Sequence, residues 1–60
     1  MNDVRIRKFL MFYNQGDRFL MYQAHDKGLT TEDIEYMEHR GVIAPTGIEE
    51  QFIVLVKNQI

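Results

Sequence analysis

The side chains of this 60-residue chain that could act as acids or bases suggest little catalysis. His25 precedes Asp26, as an oriented general base would require, and His39 follows Glu35 by four residues, the spacing of a helix-surface pair. In a segment leading into a helix, the first pair is more simply a solvated turn. The two histidines lack metal-ligand spacing, and without Ser or Cys the chain has no such nucleophile. We therefore predict a non-enzyme with no metal and no cofactor.

Acidic side chains are concentrated in the second half of the chain. Residues 28–60 carry six acidic and two basic side chains, whereas residues 1–27 carry three acidic and five basic ones. Although the net charge is only −2, this distribution groups the acids on one predicted helix and in the loop that follows it.

The element that must position these acids is a helix within residues 28–41. Thr30 is a natural N-cap residue, and Asp33 stands where the acid of a capping box belongs. Acids in the first turns and basic side chains in the last turn suit the helix dipole. Gly41 can adopt the left-handed conformation that ends a helix.

Apolar runs on both sides of this helix predict three strands. The run ending at residue 13, the turn cluster at residues 14–17 and the run at residues 19–22 are typical of a β-hairpin, with a helix across Gly16 as the alternative. Residues 52–56 are the strongest strand, β-branched and aromatic. We predict a single α+β domain over residues 1–60: a three-stranded antiparallel sheet with one helix, in the order β-β-α-β.

The predicted strands are apolar on both faces, yet one helix can cover only one of them. The other face would expose an apolar patch that soluble monomers rarely tolerate. We therefore predict a homodimer formed through the sheet, with lasting contact to a partner protein as the alternative. The predicted interface residues are Leu10, Phe12, Ile53 and Leu55.

The expected location is the cytoplasm. The chain has no cysteine for a disulfide, and its first residues lack the apolar core of a signal peptide. No run approaches the roughly 20 apolar residues of a membrane span, so we expect a soluble protein with no membrane partner.

Several of these residues resemble a known family. Tyr22, the segment Lys27-Gly28-Leu29-Thr30, the acids Asp33 and Glu35, and a Glu-rich loop before a final apolar strand are similar to the small uracil-DNA glycosylase inhibitors of certain Bacillus tailed phages. The resemblance covers about residues 19–60. It implies a dimeric β-β-α-β protein that mimics DNA in the binding groove of the enzyme. This chain departs from the family at Ile34, where the family has an aromatic residue, and at Glu38, where it has Tyr.

The resemblance implies a host uracil-DNA glycosylase as the protein partner, with no direct binding of nucleic acid. Glutamates would stand in for phosphates, and apolar side chains near Ile34 would receive the apolar residue that the enzyme inserts into a duplex. Ile34 and Met37 also fit a core-facing stripe, and Tyr36 with Glu32 a plain surface pair. The implied partner-binding residues are Glu32, Ile34, Glu35, Tyr36, Glu38, Glu49 and Glu50.

Two alternatives remain open. The first is a small DNA-binding or regulatory module that uses a basic hairpin, because basic side chains there have aromatic neighbours suited to stacking. Residues 36–45 also resemble a recognition helix entering the wing of a winged helix, although that helix is acidic where a DNA-reading helix should be basic. The second alternative is a structural dimer without a ligand. The basic residues of the predicted hairpin are Arg5, Arg7, Lys8 and Arg18.

Overall fold

A computed structural model describes residues 3–57 of the chain, which contain three helices and three short strands. In chain order, the elements are α1 (Asp3–Leu10), β1 (Arg18–Leu20), α2 (Met21–Asp26), α3 (Thr31–His39), β2 (Ile43–Pro45) and β3 (Gln51–Val54).

The three strands form one antiparallel sheet, as predicted, and the fold is of the α+β class. The central strand is β3, which pairs with β1 on one side and β2 on the other. Phe19 lies opposite Phe52, and Ile43 lies opposite Val54, so the buried side chains of paired strands share one face. The element order differs from the predicted β-β-α-β, which is also the order that the family resemblance implies.

The first predicted strand, the apolar run ending at residue 13, is wrong. Most of that run belongs to helix α1. Ile6, Phe9 and Leu10 are buried, and Tyr13 packs against the same core. Their spacing of three and four residues places them on one side of a helix. The intervening apolar residues, such as Val4, are largely exposed. Those exposed residues made the run look apolar on both faces of a strand.

The second predicted strand is also shorter than expected, since the chain enters helix α2 at Met21. The first amides of α2 find acceptors: the Leu20 N–H donates to Oε1 of Gln23 at 2.9 Å, and the Met21 N–H donates to the Glu50 carbonyl at 2.8 Å. Because one of these acceptors lies 29 positions away in the chain, local sequence preference does not reveal this helix start.

Helix α3 is formed as predicted, and its N-terminal cap is the predicted one. The Asp33 N–H donates to Oγ1 of Thr30 at 3.2 Å, and the Thr30 N–H donates to Oδ2 of Asp33 at 2.9 Å. These reciprocal bonds complete a capping box. Gly41, with a φ of 78°, follows the last turn in the left-handed conformation.

Helices α2 and α3 form a helix-turn-helix unit with a turn at residues 27–30. Gly28 has a φ of 95°, which lets the Leu29 N–H reach back to the Ala24 carbonyl at 3.0 Å. After α3, strands β2 and β3 form a hairpin that we call the wing. The order α1-β1-α2-α3-β2-β3, with β1 pairing to the wing, is that of a winged helix.

An aromatic cluster joins α1 to the sheet. The ring of Phe19 meets the ring of Phe9 edge-on at 5.0 Å between centroids, and it stacks on Phe52 at 5.7 Å. Tyr13 lies 5.0 Å from Phe9. Tilted and edge-on ring pairs add to the free energy of burial. The buried apolar side chains of the described residues are Ile6, Phe9, Leu10, Phe19, Ala24, Leu29, Ile34, Met37, Val42, Ile43, Phe52 and Val54.

An ion pair between partly exposed Arg5 and buried Asp33 joins α1 to the first turn of α3. Asp33 is only 3% exposed, and its Oδ2 accepts from Nε of Arg5 at 3.2 Å and from a terminal guanidinium nitrogen at 2.9 Å. Burial alone would raise the pKa of Asp33, but the Thr30 backbone N–H and the guanidinium of Arg5 lower it below its ordinary value.

Replacing the cation of this pair tests its contribution to stability. Arg5→Ala leaves Asp33 buried with fewer donors, and we expect the free energy of unfolding to fall by about 1–2 kcal/mol. The control is Lys8→Ala, an exposed residue one turn further along α1, which should change it by less than about 0.5 kcal/mol. Urea denaturation followed by circular dichroism measures both. Equal effects of the two substitutions would contradict the role of the ion pair.

The same variants should also differ in how strongly acid lowers their free energy of unfolding. Because the pKa of Asp33 is lowered by folding, its stabilisation is present above the unfolded pKa of about 3.9 and is lost as the pH falls through the folded value. The wild-type and Lys8→Ala proteins should lose stability below about pH 4 more steeply than Arg5→Ala. A parallel loss in all three proteins would show that other carboxylates dominate the acid response.

Candidate functional site

The outer face of α3 carries a row of carboxylates. Glu32, Glu35 and Glu38 are all exposed, and their spacing of three residues keeps successive side chains next to one another on the helix. Asp33 belongs to the buried side of the same helix, with Met37. The capping box fixes where the helix begins and therefore which acids face solvent.

The two other α3 residues predicted to contact a partner, Ile34 and Tyr36, are less exposed than these glutamates. Ile34 has no exposed surface and is part of the core, as the stripe interpretation of the sequence proposed. It is therefore not on the surface to receive a side chain of a partner. Tyr36 is half-buried, and the guanidinium carbon of Arg40 lies 5.8 Å from its ring centroid.

The tip of the wing holds the remaining predicted acids. Glu49 and Glu50 are exposed, and between β2 and β3 they follow Ile48, which is 61% exposed. Ile48 is not among the site residues predicted from the sequence. The sequence feature that could have identified it is an apolar side chain between Gly47 and two acids, in a loop and not in a strand.

The basic residues do not form the hairpin that the DNA-binding alternative requires, and that part of the prediction is wrong. Arg7 and Lys8 are exposed on α1, while Arg18 lies on β1 opposite Ile53. Arg5 is engaged by Asp33. The positive charges are therefore divided between two elements, and none of these four lies on the helix-turn-helix unit.

The predicted dimer residues do not share one sheet face. Leu10 is buried in the core at 3% exposure, because it belongs to the inner side of α1. Phe12, 69% exposed, follows α1, and its ring lies 5.4 Å from the Lys27 ammonium. Ile53 is half-buried on β3, and Leu55 lies just beyond that strand. The outward sheet face is thus less apolar than the sequence suggested.

His25 has a structural role in the helix-turn-helix turn. Its Nδ1 lies 2.9 Å from the carbonyl oxygen of Leu29, which can only accept, so Nδ1 carries the proton in this bond. Across the described part of the chain, no group of three or more His, Cys, Asp or Glu side chains could hold a metal ion. Residues 3–57 also contain no helix with the length and apolar character needed to cross a bilayer.

Comparisons with models of protein families, with curated proteins and with solved structures give no match.

The two sides of α3 should respond differently to truncation. Ile34→Ala removes buried methyl groups and should lower the free energy of unfolding by about 2–4 kcal/mol. Glu35→Ala, one residue further on the exposed side, should change it by less than about 0.5 kcal/mol. Urea denaturation of both variants is the measurement. A small cost for Ile34→Ala would contradict the orientation of the helix.

Proposed function

We propose that this chain is a protein-binding module of the phage-inhibitor type that occupies the basic groove of a host DNA-processing enzyme. The observation that carries the proposal is the row of Glu32, Glu35 and Glu38 on the outer face of the second helix of a helix-turn-helix unit. In DNA-binding proteins of this architecture, the second helix enters the major groove. Here that helix presents carboxylates.

The negative charge of this face disfavours a DNA duplex as its ligand. Each glutamate placed near the phosphates adds repulsion, and affinity for DNA depends on cations that displace counterions. A groove that has evolved to bind DNA has the opposite requirement, since its basic side chains attract carboxylates. The same helix position that disfavours DNA therefore favours a DNA-binding protein surface.

Uracil-DNA glycosylase is the partner we propose first, because the segment from Tyr22 to Glu35 resembles inhibitors of that enzyme. The acids at the tip of the wing, Glu49 and Glu50, extend the set of phosphate-like groups beyond α3. We propose no catalytic step, since inhibition of this kind needs only occupation of the groove.

A charge reversal on α3 tests the proposal with a purified bacterial uracil-DNA glycosylase. The wild-type protein should inhibit uracil excision, and added salt should weaken the inhibition because phosphate-like contacts are screened. Glu35→Lys combined with Glu38→Lys should weaken binding about 100-fold or more, because like charges then face the basic groove. Uninhibited excision at a large excess of wild-type protein would exclude this enzyme.

The matched control reverses charge on α1. Arg7→Glu combined with Lys8→Glu changes as many charges on exposed positions outside the helix-turn-helix unit. It should retain inhibition of the glycosylase. Arg5 is left unchanged in this control because it holds Asp33.

Direct DNA binding is the second candidate, favoured by the winged-helix order of the elements. It predicts the reverse pattern on a labelled duplex: the α3 variant would gain affinity and the α1 variant would lose it. Fluorescence anisotropy with the same two variants separates the candidates. Fold alone does not choose between them, since one architecture serves many functions.

We also propose that the chain acts as a homodimer in which Phe12 and Leu55, both exposed, are covered by a second copy. At micromolar concentration the wild-type protein should sediment as a dimer. Phe12→Glu should give a folded monomer, since this side chain is outside the core. A wild-type protein that sediments as a monomer would contradict the assembly while leaving the acidic face unaffected.

A further inference from the structure

The tip of the wing combines an exposed apolar side chain with two carboxylates. Ile48 is 61% exposed, and Glu49 and Glu50 follow it directly. A single exposed apolar residue is ordinary on a protein surface. Among the exposed large apolar residues of the described chain, Ile48 differs in lying between two strands and directly before two carboxylates.

The loop is fixed by its own hydrogen bonds. The Ile48 carbonyl accepts from the Gln51 N–H at 3.0 Å, and the Ile48 N–H donates to Oγ1 of Thr46 at 3.3 Å. The Thr46 hydroxyl in turn donates to Oε1 of Gln51 at 2.7 Å. The Thr46 hydroxyl and the Gln51 backbone N–H thus hold the backbone of Ile48. A loop ordered before binding loses less entropy when it meets a partner.

Glu50 adopts a backbone conformation that is costly for its residue type. Its φ is 60°, in the left-handed region that favours glycine. In this conformation its carbonyl accepts the Met21 N–H at 2.8 Å, which joins the tip of the wing to the start of α2. Backbone strain of this kind concentrates at functional sites, where the surrounding structure maintains it.

We propose that Ile48 is the apolar anchor of the interface, entering an apolar pocket bordered by basic side chains on the partner. The inference rests on the proposed function. It differs from the contact expected from the sequence, in which side chains near Ile34 receive an apolar residue of the enzyme, because here Ile48 enters a pocket of the enzyme. Ile34 is buried, whereas Ile48 stands on a fixed loop at the surface. The carboxylates of Glu49 and Glu50 require a rim of opposite charge, which is the chemistry of a DNA-binding groove.

The size of the expected effect follows from the way interfaces distribute binding energy. A few anchors that fill pockets carry most of the affinity, while surrounding charges mainly steer the encounter. Truncating an anchor should therefore raise the dissociation rate and leave the association rate nearly unchanged.

The test is surface plasmon resonance with immobilised bacterial uracil-DNA glycosylase. Ile48→Ser should weaken binding by about tenfold or more, mainly through faster dissociation. Ile48→Leu should retain wild-type affinity within about threefold because the apolar volume is kept. The matched control is Val4→Ser, since Val4 is 67% exposed on α1 and outside the wing. It should bind as the wild type does.

The possible results have different consequences for the anchor and for the proposed function. Wild-type affinity in Ile48→Ser would overturn the anchor and leave the proposed function standing. Failure of the wild-type protein to bind the glycosylase would overturn the proposed function and the anchor with it. Loss of the wild-type dimer in Ile48→Ser, seen by sedimentation, would assign the side chain to contact with a second copy. Denaturation of each variant in urea confirms that the fold is retained, since Ile48 is outside the core.

Discussion

One carboxylate oxygen holds the arrangement of the helices. Oδ2 of Asp33 accepts the Thr30 N–H that begins α3, and it also accepts two nitrogens of Arg5 from α1. The helix start and the docking of α1 therefore depend on the same buried charge. An ion pair of this kind costs desolvation, so its donors must all be in place. The structure places α1 where its apolar side reaches the sheet.

The rotation of α3 follows from this anchor. With Asp33 facing inward, Ile34 and Met37 complete the core, and Glu32, Glu35 and Glu38 are left in solvent. A helix-turn-helix unit thereby acquires an acidic outer face, and the wing adds carboxylates beside an exposed Ile48. The hydrogen bond from the Met21 N–H to the Glu50 carbonyl joins the wing to α2. The negative charge of the acidic face and the wing is the basis of our proposal that the ligand is a basic protein groove and not a phosphate backbone.

Local signals in the sequence predicted some of these elements and not others. The caps of α3 lie within a few residues of the helix ends, so Thr30, Asp33 and Gly41 could be identified directly. Helix α1 was predicted as a strand because exposed apolar residues obscure the helical spacing of its buried ones. Helix α2 was missed because the Glu50 carbonyl that caps it comes from a distant loop. The acidic residues could be identified from composition. The exposure of Ile48 could not, because it depends on how the wing folds.

We propose that the outer face of α3 and the wing bind a basic protein groove. Nuclear magnetic resonance of the ¹⁵N-labelled protein titrated with unlabelled glycosylase tests it most directly, because each backbone amide reports its own environment. We predict that the amides of residues 32–38 and 47–50 shift or broaden, while those of residues 4–12 on the α1 side change little. Perturbations centred on α1, or a spectrum unchanged by excess enzyme, would contradict the account.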